Sequence, residues 1–329
     1  MKTLRLKASP FLHGFETTIN LQFDLLVGLL AVMIISIVQN GLRVFAICAV
    51  SSFVSWSTET IGRLILKKSD EVSVRSISRG ILIALLCPVT VPIWLPASAC
   101  FFSTLFFGII LGATPYKRLF TVTSMAWLYM LSLYPKIMTV YPSGRGYNFF
   151  PVFENITSFS GTRSIAQLLQ TRGAPYYSVL DVFTGNYPGG MGTTCIFIIL
   201  AVCIYFIFRK SMAWQVSLSM ILTVTVFAIV FNRSNSSALF SILYELTATS
   251  YIYIAVFVAG DIISAPTLSL ARVLYGVALG VITMLLRYLG LGEHCVVIAL
   301  VICNFLSELL DLFSLKYQIR QTKKLFNKL

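Results

Sequence analysis

The chain contains long stretches without a charged side chain, and these constrain its fold more than any other feature. Residues 80–116 include no Asp, Glu, Lys or Arg, and two membrane-crossing helices of about 17–20 residues fit within that window. Shorter charge-free windows lie at 25–42, 44–58, 119–135, 182–208, 211–232, 246–260, 273–286 and 294–307. A soluble helical bundle would lack the polar faces that its helices need. The sequence therefore predicts an all-α polytopic membrane protein.

The apolar windows predict about ten transmembrane helices, arranged as two inverted five-helix halves. The predicted spans lie near 22–40, 42–57, 78–96, 98–114, 119–137, 192–208, 211–231, 243–261, 270–288 and 294–312. Five spans in each half make the second half start from the opposite side of the membrane, as in an inverted repeat. The predicted organisation is a first half (1–138), an extracytoplasmic loop (139–191), a second half (192–315) and a basic cytoplasmic tail (316–329).

The net charge of +13 reflects topology in this interpretation. With the N-terminus inside, 18 of the 25 lysines and arginines fall in cytoplasmic segments, as the positive-inside rule requires. We therefore expect both termini in the cytoplasm of a bacterium or archaeon, with the chain in its cytoplasmic (inner) membrane. Membrane lipid is an expected partner, and nucleic acid is not.

Two predicted spans carry signals for interrupted helices. The third contains Pro88, Pro92 and Pro96, and the eighth ends in the Gly- and Pro-containing segment 259–266. Interrupted helices free backbone groups that must be satisfied by protein, a water-filled cavity or a ligand. This pattern is compatible with a binding site between the halves and with ordinary proline kinks, and the sequence leaves both open.

No motif predicts catalysis or a metal site in this chain. His13 and His294 are the only histidines, and neither has a carboxylate pair at metal-ligand spacing. A Gly-rich segment, 181–194, precedes the sixth span, and such segments let backbone N–H groups approach a phosphate or a ring edge. Its candidate binding residues are Gly185, Asn186, Gly189, Thr193 and Thr194.

Asp261 is the most interesting ionisable residue near the apolar windows, because it adjoins Gly260 at the end of the eighth span. Charges at membrane depth are costly and often functional. The alternative interpretation is a helix-end carboxylate at the cytoplasmic interface. For Arg287 and Glu293, we expect positions among the lipid headgroups.

Several segments, in order, resemble the D subunit of Rnf-type electron transport complexes and the related B subunit of sodium-translocating NADH:quinone reductases. The opening Ala8-Ser9-Pro10 is similar to the start of this family, and Ser78–Trp94 resembles its third span. The stretch LDVFTGNYPGGMGTT, with the later Arg209-Lys210 and Trp214–Ser217, resembles its sixth and seventh spans. Residues 259–287 and 299–311 resemble its last three spans.

The resemblance implies a flavoprotein subunit that carries FMN on a Thr of an SGAT-type motif in the extracytoplasmic loop. The corresponding residues here are Ser160, Gly161, Thr162 and Arg163. Arg163 occupies the usual acceptor position, with Thr162 one residue early, so ordinary covalent attachment is not expected. An Arg could instead pair with the phosphate of a noncovalent flavin, and riboflavin is an alternative cofactor.

The favoured hypothesis is a membrane subunit of an Rnf-type complex. It would bind FMN and pass electrons between partner membrane and peripheral subunits, with coupling to Na⁺ or H⁺ translocation as part of the implied function. The alternatives are a small-molecule or ion transporter, or a cofactor-free scaffold subunit, of the same fold. The changed acceptor motif favours these alternatives, whereas the retained segments 185–190 and 259–266 favour electron transport or transport.

Overall fold

The computed structural model describes residues 18–67, 74–111, 121–142, 152, 162–171, 177–233, 237–262 and 264–326. Within these residues all regular structure is helical, apart from two isolated bridges, which confirms the predicted all-α class there. The helices are α1 Thr18–Asn40, α2 Arg43–Ile65, α3 Val74–Leu86, α4 Trp94–Ser103, α5 Val122–Leu133, α6 Pro135–Met138, α7 Ile165–Gln170, α8 Val179–Thr184, α9 Ile196–Phe208, α10 Trp214–Val230, α11 Ala238–Thr247, α12 Tyr251–Ile254, α13 Ser269–Tyr288 and α14 Cys295–Phe326.

Five described helical segments are long and apolar enough to cross a membrane. They are Ile19–Asn40, Arg43–Ile65, Ala238–Ala259, Ser269–Tyr288 and Gly292–Arg320. Four shorter apolar helices accompany them, at Trp94–Ile110, Val122–Leu133, Ile196–Phe208 and Trp214–Val230. The segment Ala238–Ala259 is the most enclosed of the five, with 78% of its most apolar window buried inside the protein. It therefore lies at the centre of the bundle.

Glycines let two pairs of helices pack with their backbones in close contact. A Cβ atom at Gly80 of α3 would lie 2.7 Å from the carbonyl oxygen of Ser51 on α2. A Cβ atom at Gly276 of α13 would lie 2.5 Å from the carbonyl oxygen of Val216 on α10. Small residues at helix–helix contacts are typical of membrane bundles, where close packing replaces the hydrophobic effect.

One continuous core joins the segments before and after residues 139–191, which we call the long connection. The hydroxyl of Tyr253 donates a hydrogen bond to the carbonyl oxygen of Leu82, at 3.4 Å. The rings of Phe206 and Phe257 meet edge to face with centroids 5.7 Å apart. Buried apolar residues from α1 through α14 belong to this same cluster.

We call the end of the bundle that contacts Val152 and Thr184 the loop end. There Gln39 of α1 donates to the carbonyl of Thr184 at 2.8 Å, and Arg43 of α2 lies 3.5 Å from the carbonyl of Val152. At the opposite end, Arg209 after α9 pairs with Asp24 of α1 at 3.2 Å. The bundle thus has a polar cluster at each of its two ends.

Two breaks in the described helical backbone matter for the candidate site, and the sequence indicated one of them. α3 ends at Leu86 and α4 begins at Trp94, so the prolines of the third predicted span do mark a break. The predicted segment 259–266 lies between the end of the π-helix at Ala259 and the start of α13 at Ser269, and a second break, which the sequence did not indicate, lies at 248–250, between α11 and α12. It forms because Thr249 and Ser250 have φ angles of 58° and 56°, and left-handed backbone interrupts the helical hydrogen-bond ladder. Residues Ala255–Ala259 continue helically as a π-helix.

Candidate functional site

A cleft at the loop end is built from the Gly-rich segment and the second break. It is open to solvent, with about 260 Å³ of space between its walls, and residues 187–190 with Thr193 form one wall. Residues 247–250 form the facing wall, and Tyr141, Ser164, Ile165, Ala166 and Glu293 complete the lining. We call this space the loop-end cleft. It brings together polar groups from both sides of the long connection.

The Gly-rich wall closes the end of α3. The backbone N–H of Gly192 donates to the carbonyl of Leu85, and that of Met191 donates to the carbonyl of Cys87, each at 2.8 Å. A Cβ atom at Gly190 would lie 2.5 Å from the carbonyl oxygen of Leu86, so only glycine allows this approach. Terminal carbonyls of a helix need such partners. The segment therefore satisfies protein groups that the interruption of α3 sets free.

The facing wall is held by Arg287 at the end of α13. Its Nη1 donates to the carbonyl of Glu245 at 2.7 Å, and its Nη2 donates to the carbonyl of Ala248 at 2.8 Å. Nη2 also lies 2.8 Å from Oγ1 of Thr249, and the guanidinium lies 5.2 Å from the ring centre of Tyr251. One side chain thus contacts both sides of the break.

Arg287 and Glu293 are buried, contrary to the expectation that they lie among headgroups. Arg287 is 4% exposed and Glu293 is 7% exposed. Arg287 pairs with the buried carboxylate of Glu245 at 2.8 Å, and Arg233 approaches the same carboxylate at 3.4 Å. Oε1 of Glu293 accepts a 2.6 Å hydrogen bond from Ser164. The expectation was wrong because each group has a buried polar partner from another segment, which offsets its desolvation.

A second arginine holds the first break, and sequence reasoning missed it. Nε of Arg43 donates to the carbonyl of Val89 at 2.8 Å, and its Nη2 donates to the carbonyl of Val91 at 3.1 Å. Arg43 is 1% exposed. The available signal was its position as a single charge between the apolar windows 25–42 and 44–58.

The proposed flavin-attachment residues lie beside the loop-end cleft where they are described. Thr162 and Arg163 are exposed and immediately precede the cleft residue Ser164. The hydroxyl of Thr162 donates to the carbonyl of Pro142 at 3.2 Å. Ser160 and Gly161 lie outside the described residues. An exposed arginine next to a cleft is suited to an anionic group such as a phosphate.

The Gly-rich candidates fall into two groups. Gly189 and Thr193 line the loop-end cleft. Gly185, with φ of 90°, ends α8, while Thr194 lies 3.5 Å from Oε1 of Gln39; the backbone N–H of Asn186 bonds to Asp181 at 2.8 Å. Only the first group therefore lies in the cleft itself.

Two tyrosines give the loop-end cleft aromatic surface with hydroxyl groups. Tyr141 and Tyr187 are both 4% exposed, and Tyr187 donates to the carbonyl of Thr193 at 3.2 Å. Burial raises the pKa of both phenols above the ordinary value, because the phenolate would be poorly solvated. Both side chains therefore remain neutral hydrogen-bonding groups at physiological pH.

Asp261 belongs to a different cleft, near the opposite end. That cleft is open to solvent, with about 420 Å³ of space between its walls, and is lined by Arg75, Asp261, Gln22, Ser211 and apolar side chains that include Phe206 and Val256. Oδ2 of Asp261 lies 2.6 Å from Nη2 of Arg75. The N–H of Ala213 bonds to the carbonyl of Gly260 at 2.8 Å. The predicted site residues therefore do not form a single site.

Comparison with known proteins gives a consistent set of relatives. A model of the NQR2, RnfD, RnfE family matches residues 5–320. The chain is 22% identical to the D subunit of the Na(+)-translocating ferredoxin:NAD(+) oxidoreductase complex of Acetobacterium woodii, over 98% of this chain and 97% of that protein. It is 24% identical to the B subunit of the Na(+)-translocating NADH-quinone reductase of Chromohalobacter salexigens, over 79% of this chain and 62% of that protein.

A third relative matches a shorter stretch. The chain is 26% identical to the D subunit of the ion-translocating oxidoreductase complex of Stutzerimonas stutzeri, over 45% of this chain and 41% of that protein. The family match, in contrast, covers nearly the whole sequence, including every described helix except the last residues of α14. Together with the apolar helices, it identifies a multi-pass membrane protein. The chain belongs to the NQR2, RnfD, RnfE family.

Proposed function

We propose that this chain is a membrane subunit of an Rnf-type, ion-translocating electron transport complex, which binds a flavin and passes electrons between partner subunits. The observation that carries the proposal is the near full-length similarity to the D subunit of the Acetobacterium woodii complex. The loop-end cleft supports it, because the Gly-rich segment that suggested a flavin lines a space beside Thr162 and Arg163.

The proposed architecture is ten membrane passages in two inverted five-helix halves. α1 to α5 supply five passages, and α9 to α14 supply five when α11 and α12 count as one. The distribution of basic residues supports cytoplasmic termini. It follows that the loop end faces outward from the cytoplasmic (inner) membrane, and that the long connection is extracytoplasmic. The division at residues 138, 191 and 315 remains a prediction.

The residues at the loop end fit a flavin that is held by one edge. Arg163 is placed to pair with the phosphate of FMN, while Gly189, Gly190 and the two tyrosines line space for a ring edge. The N–H groups of Met191 and Gly192 are bonded to α3, so they shape the wall and do not bind phosphate. A bound flavin would supply the electron chemistry, and the protein would orient it and exclude water.

Riboflavin is the alternative cofactor, and the cleft beside Asp261 is its candidate site. Riboflavin has no phosphate, so it does not require an arginine as an anion partner. The larger cleft combines apolar side chains with the Arg75–Asp261 pair. Sites of this kind bury an apolar ring and orient it with a few polar groups.

Coupling to Na⁺ or H⁺ movement is a further part of the proposal. The Acetobacterium woodii and Chromohalobacter salexigens proteins are named as subunits of Na(+)-translocating complexes. Buried ionisable groups in membrane proteins often line ion or proton pathways. Glu293 lines the loop-end cleft, and Glu245 lines a neighbouring cleft. The two clefts adjoin, because Ala248 and Thr249 line both of them.

A cofactor-free scaffold subunit is the second candidate function. The observation that favours it is the packing of the Gly-rich segment against α3. Cβ atoms at Gly190 and Gly192 would meet Leu86 and Leu85 at 2.5 and 2.7 Å. The glycines therefore have a purely structural reason to be present, independent of any ligand.

The test is flavin content in the assembled complex. We expect flavin absorbance in the purified complex, and no fluorescent band for this chain after denaturing electrophoresis. Arg163→Gln should lower the retained flavin, whereas Thr171→Ala, at an exposed threonine that follows α7, should not. A fluorescent band lost in Thr162→Ala would establish covalent attachment. A complex without flavin would favour the scaffold function.

A further inference from the structure

We infer that Arg43 and Arg287 are positioning residues that set the two walls of the loop-end cleft. Each guanidinium donates to two backbone carbonyls within or beside one of the two breaks. The assignment of these residues to a ligand site rests on the proposed function. Their action on the two breaks does not.

Arg43 acts on the Gly-rich wall through the first break. It binds the carbonyls of Val89 and Val91, in a segment where Pro88 and Pro92 lack N–H donors and helical pairing stops. The adjacent carbonyls of Leu85 and Cys87 receive the N–H groups of Gly192 and Met191. The position of residues 85–91 therefore determines where the Gly-rich wall lies.

Thr90 extends the influence of the first break to another part of the cleft. Its Oγ1 donates to the carbonyl of Val140 at 2.7 Å, immediately before the cleft residue Tyr141. Residues 85–91 thus contact both the Gly-rich wall and the segment that carries Tyr141. A displacement of this break would change two sides of the cleft.

Arg287 acts on the facing wall directly. Thr249 and Ser250 occupy left-handed backbone conformations, which non-glycine residues keep only when their surroundings impose them. Arg287 binds the carbonyls of Glu245 and Ala248 and the hydroxyl of Thr249. Glu245 supplies a buried counter-charge at 2.8 Å. This wall is therefore fixed by one arginine and its carboxylate.

The bonding pattern requires arginine and not simply a positive charge. A guanidinium presents several donors in a rigid plane and binds two acceptors at once, whereas an ammonium is a flexible point charge. Arg287→Lys would retain a partner for Glu245 but could not span the same carbonyls. Arg43→Lys would make the corresponding change at the first break. Both variants therefore separate geometry from charge.

The experiment is regional hydrogen–deuterium exchange on the purified complex. We expect about tenfold or greater acceleration in peptides within 245–255 for Arg287→Lys, and within 84–93 for Arg43→Lys, because charged hydrogen bonds are lost locally. Arg209→Lys is the matched control, since Arg209 is half exposed and pairs with Asp24 at the opposite end. The control should leave both regions unchanged.

Flavin retention, measured on the same samples, separates this inference from the proposed function. Both arginine variants should retain less flavin than Arg209→Lys. Each variant is assayed at the same interval below its own melting temperature, so that differences in stability do not account for the loss. Uniform acceleration along the chain, or none in the two regions, would overturn the inference. If the wild-type complex contains no flavin but exchange in the variants is still accelerated locally, the proposed flavin binding is wrong. The inference that the two arginines fix the breaks then still holds.

Discussion

The two breaks at 87–93 and 248–250 satisfy their freed backbone groups by different means. Between α3 and α4, seven irregular residues contain two prolines, and the freed carbonyls bind Arg43 and a Gly-rich segment. Between α11 and α12, the interruption is three residues long and depends on two left-handed residues and the Arg287–Glu245 pair. The first break follows from covalent restriction of the backbone. The second exists only because tertiary contacts impose it.

This difference implies different sensitivities. A proline break persists when one neighbour changes, because proline cannot supply the missing N–H. A strained break relaxes when its partners are removed, because the strain costs roughly 1–3 kcal/mol per residue. The second break should thus respond strongly to changes in charge, and the first to changes in packing.

The largest effect is expected from Glu245→Ala. It leaves Arg287 and Arg233 without their buried carboxylate, and breaking a buried pair typically costs about 3–5 kcal/mol. The free energy of unfolding, measured by denaturant titration in mixed micelles, should fall by that amount. Asp24→Ala is the control at the opposite end, where its partner Arg209 is half exposed and solvent screening should make the loss much smaller. Equal losses would contradict the contrast between the ends.

A smaller effect is expected from Gly190→Ala, which probes the first break. The added Cβ would lie 2.5 Å from the carbonyl oxygen of Leu86, and overpacking of this kind costs about 1–3 kcal/mol. Gly108→Ala is the matched control, because its Cβ would have ordinary contacts of 3.6 Å. The two melting temperatures distinguish the outcomes, and an unchanged value for Gly190→Ala would remove packing as the basis of this wall.

The smallest effect, and the only stabilising one, is expected from Ser250→Gly. Glycine adopts a φ of 56° without the steric penalty, which is roughly 1–2 kcal/mol for other residues, although its greater freedom when unfolded offsets part of the gain. The melting temperature should rise slightly. Ser98→Gly, inside α4, should lower it, as glycine does in helix interiors. A decrease in both would argue that the break is not strained.

The sequence predicted the first break and not the second, for a physical reason. Pro88 and Pro92 determine local backbone behaviour, and so they can be recognised without any knowledge of the fold. Thr249 and Ser250 have no such local signature, because their conformation depends on Arg287, which lies far along the chain. Gly260 and Pro266 likewise gave a local signal for the segment after Ala259, where the π-helix ends before α13 begins at Ser269.

The helices themselves were largely predictable, whereas the contacts between charges were not. The apolar windows predicted the bounds of α1 and α13 to within a few residues. They underestimated the length of α2, which continues to Ile65. The sequence singled out two segments separately, one with Thr162 and Arg163 and one with Gly189 and Thr193. The structure brings both to the loop-end cleft. Arg43 and the Ser164–Glu293 hydrogen bond were missed, since neither local composition nor spacing shows which distant groups will meet.

The bonds from Met191 and Gly192 to the end of α3 have a consequence for biogenesis. During translation, α3 leaves the ribosome well before the residues that complete its terminus have been made. Until residues 191 and 192 have been synthesised, the terminal carbonyls of α3 lack these hydrogen-bond donors. Insertion machinery, lipid headgroups or water must solvate them in the meantime. Final assembly of the two parts is thus a late and coupled event, and truncation before residue 191 should yield an immature product.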